Sequence, residues 1–326
     1  MQSMTASSGH GGDAPATVEA VEPLQRDVRI MGCQAHIVLH GGTEAMLDGA
    51  EQRLRQLESL WSRFVADSDI TRANQSGGQA VVVHEDTLAV ISRALDAWRQ
   101  TDGRFDITVL PALLEHGYTH SVTTQLPAPR VPGTRIGQSA LVKVDYDKST
   151  LTVPASTAID LGGIGKGFAA DVVAEELIEA GALGALVNLG GDLVVLGRPS
   201  NDVSWYLGIE DPASPPSHVA LLRLDSGGVA TSGTTVRRWS TSDGGTAHHL
   251  IDPTQAGPST TTLLTATVVA ADAATAEAFA TAAMMLDGPA AIAMLEKVGL
   301  AGLVVAADGE VLRTTTLADF ELKKAL

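Results

Sequence analysis

Glu277 and Thr281 lie four apart in a stretch with helical periodicity, so their oxygens leave one side of that helix about a turn apart. A carboxylate and a hydroxyl placed this way are ligands for a hard divalent cation. The competing reading has Thr281 bonding back to a carbonyl of its own helix while Glu277 faces water. His249, with Asp252 three residues on, is either an imidazole oriented for proton transfer or phosphate contact, or a structural loop histidine. Asp106 and Thr108 fall on a stretch that reads as a strand and would share one of its faces, unless Asp106 merely caps a strand end. Met31 and Tyr118 can flank an aromatic ring or sit in the core.

The segment Ile159 to Asp192 organises the rest, because it packs a strand, a glycine turn, a helix, a second strand and a second glycine turn into one span. Gly162, Gly163, Gly165 and Gly167 allow tight turning and close approach, and the helix after them opens with its N–H groups toward whatever sits there, which makes an anion pocket. In that helix Phe168, Ala169, Val172, Val173 and Leu177 form the packing side, and Asp171, Glu175, Glu176 and Glu179 fall mostly opposite. Gly181 ends it.

Around this unit, Val28 to Leu39 reads as a first strand interrupted at Met31-Gly32 by a bulge or a close ligand approach. Thr43 caps a helix whose apolar stripe runs through Leu47, Ala50, Leu54, Leu57, Trp61 and Phe64. The polar run Asp67 to Asn74 is a loop and short helix or a solvated connector. A helix capped by Asp86 follows a short strand at Val81 to Val83, and Leu141 to Val153 reads as a hairpin. Gly227 to Gly233 reads as a small-residue turn whose hydroxyls, Thr231 and Ser232, bind phosphate or make a tight corner. Thr262 to Ala271 is a buried strand, Asp272 caps the helix that carries Glu277 and Thr281, Pro289 starts another helix, and Asp308-Gly309 joins a last hairpin. Hairpins mixed with crossover helices predict an α+β fold with mixed sheets. Gly163-Ile164-Gly165-Lys166-Gly167 lacks the dinucleotide-binding spacing and the Ser or Thr of a P-loop, so a Rossmann fold is not expected.

The 326 residues carry 22 Lys and Arg against 38 Asp and Glu, a net charge of −16, which argues against a nucleic-acid partner or an anionic membrane surface. If the glycine pocket holds phosphates in so acidic a chain, a divalent cation is the natural mediator. Cys33 is the single cysteine, so neither an intrachain disulfide nor a thiolate metal cluster can form. Residues 1 to 27 read as a disordered tail without a signal-peptide pattern, followed by one domain over 28 to 326 that two intertwined subdomains could share. No apolar run is long enough for membrane insertion, and a cytoplasmic location is expected.

Several of these segments, in order, carry a resemblance: Met31-Gly32-Cys33; Asp67 to Ile70 with Asn74; Gly103 to Thr108; Asp160 to Gly167 with Asp171; Val187 to Asp192; Ala230 to Gly233; His249 to Pro253; and Ala276 to Ala282. Over roughly residues 28 to 315 the chain resembles the FAD:protein FMN transferase (ApbE-type) family. The resemblance implies a magnesium-dependent enzyme that takes FAD as substrate, splits its pyrophosphate, and transfers FMN to a Ser or Thr hydroxyl of an acceptor protein with release of AMP. It implies Glu277, Thr281 and a carbonyl near Gly162 or Gly163 as Mg²⁺ ligands, and His249 as the residue acting near the attacked phosphate. Met31, Asp106 and Asp160 would line the FAD site, with Gly163, Lys166, Thr231 and Ser232 contacting phosphates or ribose. This sequence departs from the family where Glu277 replaces the usual Asp, where Ala256 stands for a Thr, and where His116 stands for a Trp. An FAD pyrophosphatase with water as acceptor, or a non-catalytic flavin carrier, is the alternative function.

Overall fold

The computed structural model describes residues 22–120, 129–199, 204–235, 238–240 and 246–322. Its main sheet has eight strands, labelled here in chain order: β1 Leu24–Ile30, β2 Cys33–His40, β3 Gly184–Leu189, β4 Asp192–Gly197, β5 Gly227–Gly233, β6 Leu263–Ala270, β7 Ala301–Ala306 and β8 Val311–Arg313. Each strand pairs antiparallel with the next in the chain, so the architecture is α+β and not a Rossmann fold. The helices are α1 Glu44–Trp61, α2 Asp69–Gln75, α3 Glu85–Gln100, α4 Leu110–Glu115, α5 Gly165–Glu179, α6 Ala273–Ala283 and α7 Gly288–Lys297. The first five are inserted between β2 and β3, and the last two between β6 and β7.

Strand alternation divides the core into two layers. Ala35, Ile37 and Leu39 of β2 and Ala185, Val187 and Leu189 of β3 face the layer of α1, α3, α5 and α6. Val195, Val229, Val269, Leu303 and Val305 face the other side, which a hairpin of Trp205–Glu210 and His218–Leu224 covers.

Several expectations hold, and others change for physical reasons. Thr43 caps α1, and its hydroxyl accepts the Met46 N–H; Asp272 likewise accepts the Thr275 N–H at the start of α6. The first strand begins at Leu24, and Met31-Gly32 is a two-residue hairpin turn rather than a bulge. Both turn residues have positive φ, 49° and 73°, and Ile30 pairs with Cys33, the geometry that matches strand twist. The run after Asp67 is α2, capped by Ser68 and buried at Asp69, Thr71 and Asn74, not a solvated connector. Helix α3 takes its N-cap from His84 instead of Asp86.

Two further changes bear on the site. Residues 227 to 233 form strand β5, not a turn, hydrogen-bonded to β4 and β6. The small residues serve close packing: a Cβ on Gly228 would lie 2.2 Å from the Ala273 nitrogen, and one on Gly167 would lie 2.4 Å from the Ala273 carbonyl oxygen. The start of α6 is thus wedged between the sheet and α5, where only backbone fits. Asp106 is not on a strand either. It caps a short 3-10 turn, Ile107–Val109, that leads into α4, with Pro111 in the first helical turn.

Candidate active site

Helix α5 begins directly after the glycine turn, and α6 crosses its first turn. Glu277, 2% exposed, reaches from α6 to α5: its Oε2 accepts the Gly167 N–H at 2.7 Å, and its Oε1 accepts from the Lys166 ammonium. The same ammonium bonds to Asp192 at the start of β4. Burial pushes the Glu277 carboxyl above its usual range, the Lys166 charge opposes that shift, and Asp192 adds to it. A carboxylate at the first turn of a helix is favoured by the unpaired N–H groups there.

One turn further along α6, the Thr281 hydroxyl lies 3.2 Å from the Ser232 hydroxyl of β5. A Cβ on Gly163 would come within 3.2 Å of the same Thr281 oxygen and 3.1 Å of Phe105, so the backbone of the glycine turn lies against this hydroxyl. Thr231, the neighbour of Ser232, points to the other face and bonds Thr267 at 2.9 Å. Ser232 therefore belongs to the Thr281 cluster, whereas Thr231 is engaged within the sheet.

The far side of the glycine turn is held by Asp160. Its Oδ1 accepts the Gly162 N–H at 2.7 Å and its Oδ2 pairs with Arg63 Nε at 2.7 Å, while its own N–H reaches the Ile107 carbonyl. Arg63, a residue the sequence did not single out, donates through Nη2 to the Tyr118 carbonyl and lies over the rings of Phe64 and Tyr118. Tyr118 in turn stacks on Trp239 with ring centres 5.4 Å apart. The stripe expected to run to Phe64 stops with α1 at Trp61, and the only sequence signal for Arg63 is a basic residue just past that helix end.

Asp106 uses one oxygen for three donors: the Thr108 N–H and hydroxyl at 2.6 and 2.5 Å, and the Ser139 hydroxyl at 2.8 Å. Burial holds the carboxyl above its usual range. That leaves Oδ2 as a buried polar atom without a partner among the described residues. Met31 sits in the β1–β2 turn, where its N–H donates to Glu58. His249 follows the strand Thr246–His248 and is half-buried. Asp252 orders its own turn, accepting from Thr254 through one oxygen and from Gln255 through the other.

Asp171 does not face away from the core. It is buried in α5 and accepts the Ala273 and Ala274 N–H groups at 2.8 and 2.9 Å, capping α6 from outside that helix. Burial pushes its carboxyl up to about 7, against the pull of those two N–H bonds.

The donor set that could hold a cation comprises the Thr281 hydroxyl, the Gly162–Gly163 backbone and the Glu277 carboxylate. Among the described residues no group of three or more His, Cys, Asp or Glu is arranged to hold a metal, so such a cation would draw on hydroxyl and backbone oxygen. The close approach of the Gly163 backbone to the Thr281 hydroxyl fits oxygen coordination by a small hard ion.

Residues 31–304 match the model of the ApbE family. A relative from Treponema pallidum named FAD:protein FMN transferase is 29% identical over 295 residues, covering 84% of this chain and 81% of its own. Another of that name, from Haemophilus influenzae, is 27% identical over 261 residues, covering 77% and 75%. The ApbE protein of Thermotoga maritima superposes with a TM-score of 0.81 at 25% identity, over 93% of this chain and all of that one. The flavinyl transferase ApbE of Pseudomonas stutzeri shares the fold, with a TM-score of 0.77 at 24% identity over 91% and 96%. A family model that spans most of the chain, and a sheet and helix arrangement that superposes over nearly all of it, place this chain in the ApbE family.

Proposed function

We propose that this chain is an FAD:protein FMN transferase that moves FMN from FAD to a Ser or Thr hydroxyl of an acceptor protein and releases AMP. The observation that carries the reading is the meeting of the glycine turn, Ser232, Thr281 and the Lys166–Glu277 pair at the junction of α5 and α6. Three distant segments supply these groups, and their chemistry suits a pyrophosphate. The positive end of α5 favours phosphate charge, and the Ser232 hydroxyl can donate to phosphate oxygens. Asp160, Asp106 and Met31 line the flavin nucleotide, and Gly163 lets the backbone approach it. Thr231 supports this wall from within the sheet.

Gly162 or Gly163 through a carbonyl, Glu277 and Thr281 would hold Mg²⁺. When bound, the ion supplies counter-charge for the pyrophosphate and for the charge that develops as its bond breaks. The acceptor hydroxyl oxygen forms the new bond to the FMN phosphorus, the bond to the AMP oxygen breaks, and His249 takes the hydroxyl proton. The acceptor is a protein of the same compartment, which we take to be the cytoplasm.

Incubating the protein with FAD, MgCl₂ and cell extract as the source of acceptor, and following AMP, tests this. AMP together with a covalently flavinylated acceptor is the expected result. AMP with free FMN and no labelled acceptor would leave a pyrophosphatase, and no AMP with any divalent cation would leave a carrier.

A further inference from the structure

Lys166 is the only cation bonded to Glu277 among the described residues, and it bonds Asp192 as well. The Lys166 side chain is 13% exposed and that of Asp192 6%, so the three charges share a nearly dry site with one formal negative charge in excess. Both Glu277 oxygens are directed at the first turn of α5, one to Lys166 and one to the Gly167 N–H. A dication beside Thr281 therefore cannot use the Glu277 oxygen facing Lys166 while the ammonium stays on it, because like charges this close repel strongly in a low-dielectric site. Lysine solves the conflict mechanically: its four-carbon stem lets the ammonium move while α5 stays fixed. Asp192 supplies a second anchor.

We propose that Lys166 is the resident counter-ion of the Glu277–Asp192 pair, and that a divalent cation entering beside Thr281 displaces its ammonium from Glu277 while it stays on Asp192. The inference rests on the cation reading given above and assigns a role to Asp192 that the cation does not itself require. Glu277 then alternates between two cations, and each carboxylate keeps a cationic partner with or without metal.

The test uses the full chain, without FAD. Mn²⁺ binding is followed by electron paramagnetic resonance, and Lys166 acetylation by acetic anhydride is read by peptide mass spectrometry with and without Mg²⁺. The expected result is one bound cation and an acetylation rate at Lys166 at least fivefold higher with Mg²⁺, while the surface residue Lys297 reacts equally in both. Lys166→Met should bind Mn²⁺ at least tenfold more tightly. A bound cation with unchanged Lys166 labelling would overturn the exchange and leave the cation site standing. No bound cation would overturn both, and equal or weaker Mn²⁺ binding by a folded Lys166→Met chain would overturn the exchange alone.

Discussion

Asp160 holds Arg63 and the glycine turn with a single carboxylate, one oxygen on the Arg63 guanidinium and the other on the Gly162 N–H, both at 2.7 Å. The Arg63 side chain is 5% exposed, so the pair is buried on the arginine side. Arg63→Met leaves Asp160 without its cation and should cost about 3–5 kcal/mol of stability, measured by denaturant unfolding. A loss under about 1 kcal/mol would mean that water replaces the guanidinium freely.

Gly163→Ala places a methyl group against Thr281 and Phe105. The hydroxyl must shift by a few tenths of an ångström, so Mg²⁺-dependent AMP release should fall at least tenfold while the fold loses only about 1 kcal/mol. Thermal melting together with initial rates would show it, and full activity would remove the glycine turn from the cation cradle.

Shortening the carboxylate isolates its reach. Glu277→Asp should lose the Gly167 N–H bond or the Lys166 pair and destabilise the fold by about 2 kcal/mol. Glu277→Ala should abolish metal-dependent turnover while the circular dichroism spectrum stays native; unchanged AMP release in that variant would refute the ligand assignment.

Asp171 gives a pH signature. Its folded-state pKa, about 7, lies above its ordinary 3.8, so the fold holds this proton more tightly than the unfolded chain does. That contribution is fully present below pH 3.8 and fades as pH rises to about 7. The melting temperature of the protein minus that of Asp171→Asn should fall across this window and level off above it. A difference that rises with pH would show that the two N–H bonds outweigh burial.

His249→Ala should slow AMP release by roughly 100-fold, the usual scale for a lost general base, with FAD affinity changed less than threefold in equilibrium titration. The reverse pattern would make His249 a binding residue.

The sequence alone determined several of the helices and their caps. Periodicity along α1, the capping residues Thr43 and Asp272, and the glycine-bounded helix α5 are local properties, set by backbone sterics and the spacing of apolar side chains. The order of motifs determined the family, since several short matches in one sequence do not arise from helix or strand preference. Tertiary structure decided what each polar group faces. Whether Asp106 caps a turn, whether Asp171 points to α6 or to water, and whether residues 227–233 turn or pair with β4 and β6 depend on segments distant in the chain. Arg63 and Asp160 are separated by the whole of α2, α3 and α4, and Lys166 lies 111 residues from Glu277, so no local pattern encodes either pair. Burial is what selects them: a charge removed from water must find an opposite charge or an N–H group, and only the assembled fold determines which one is within reach.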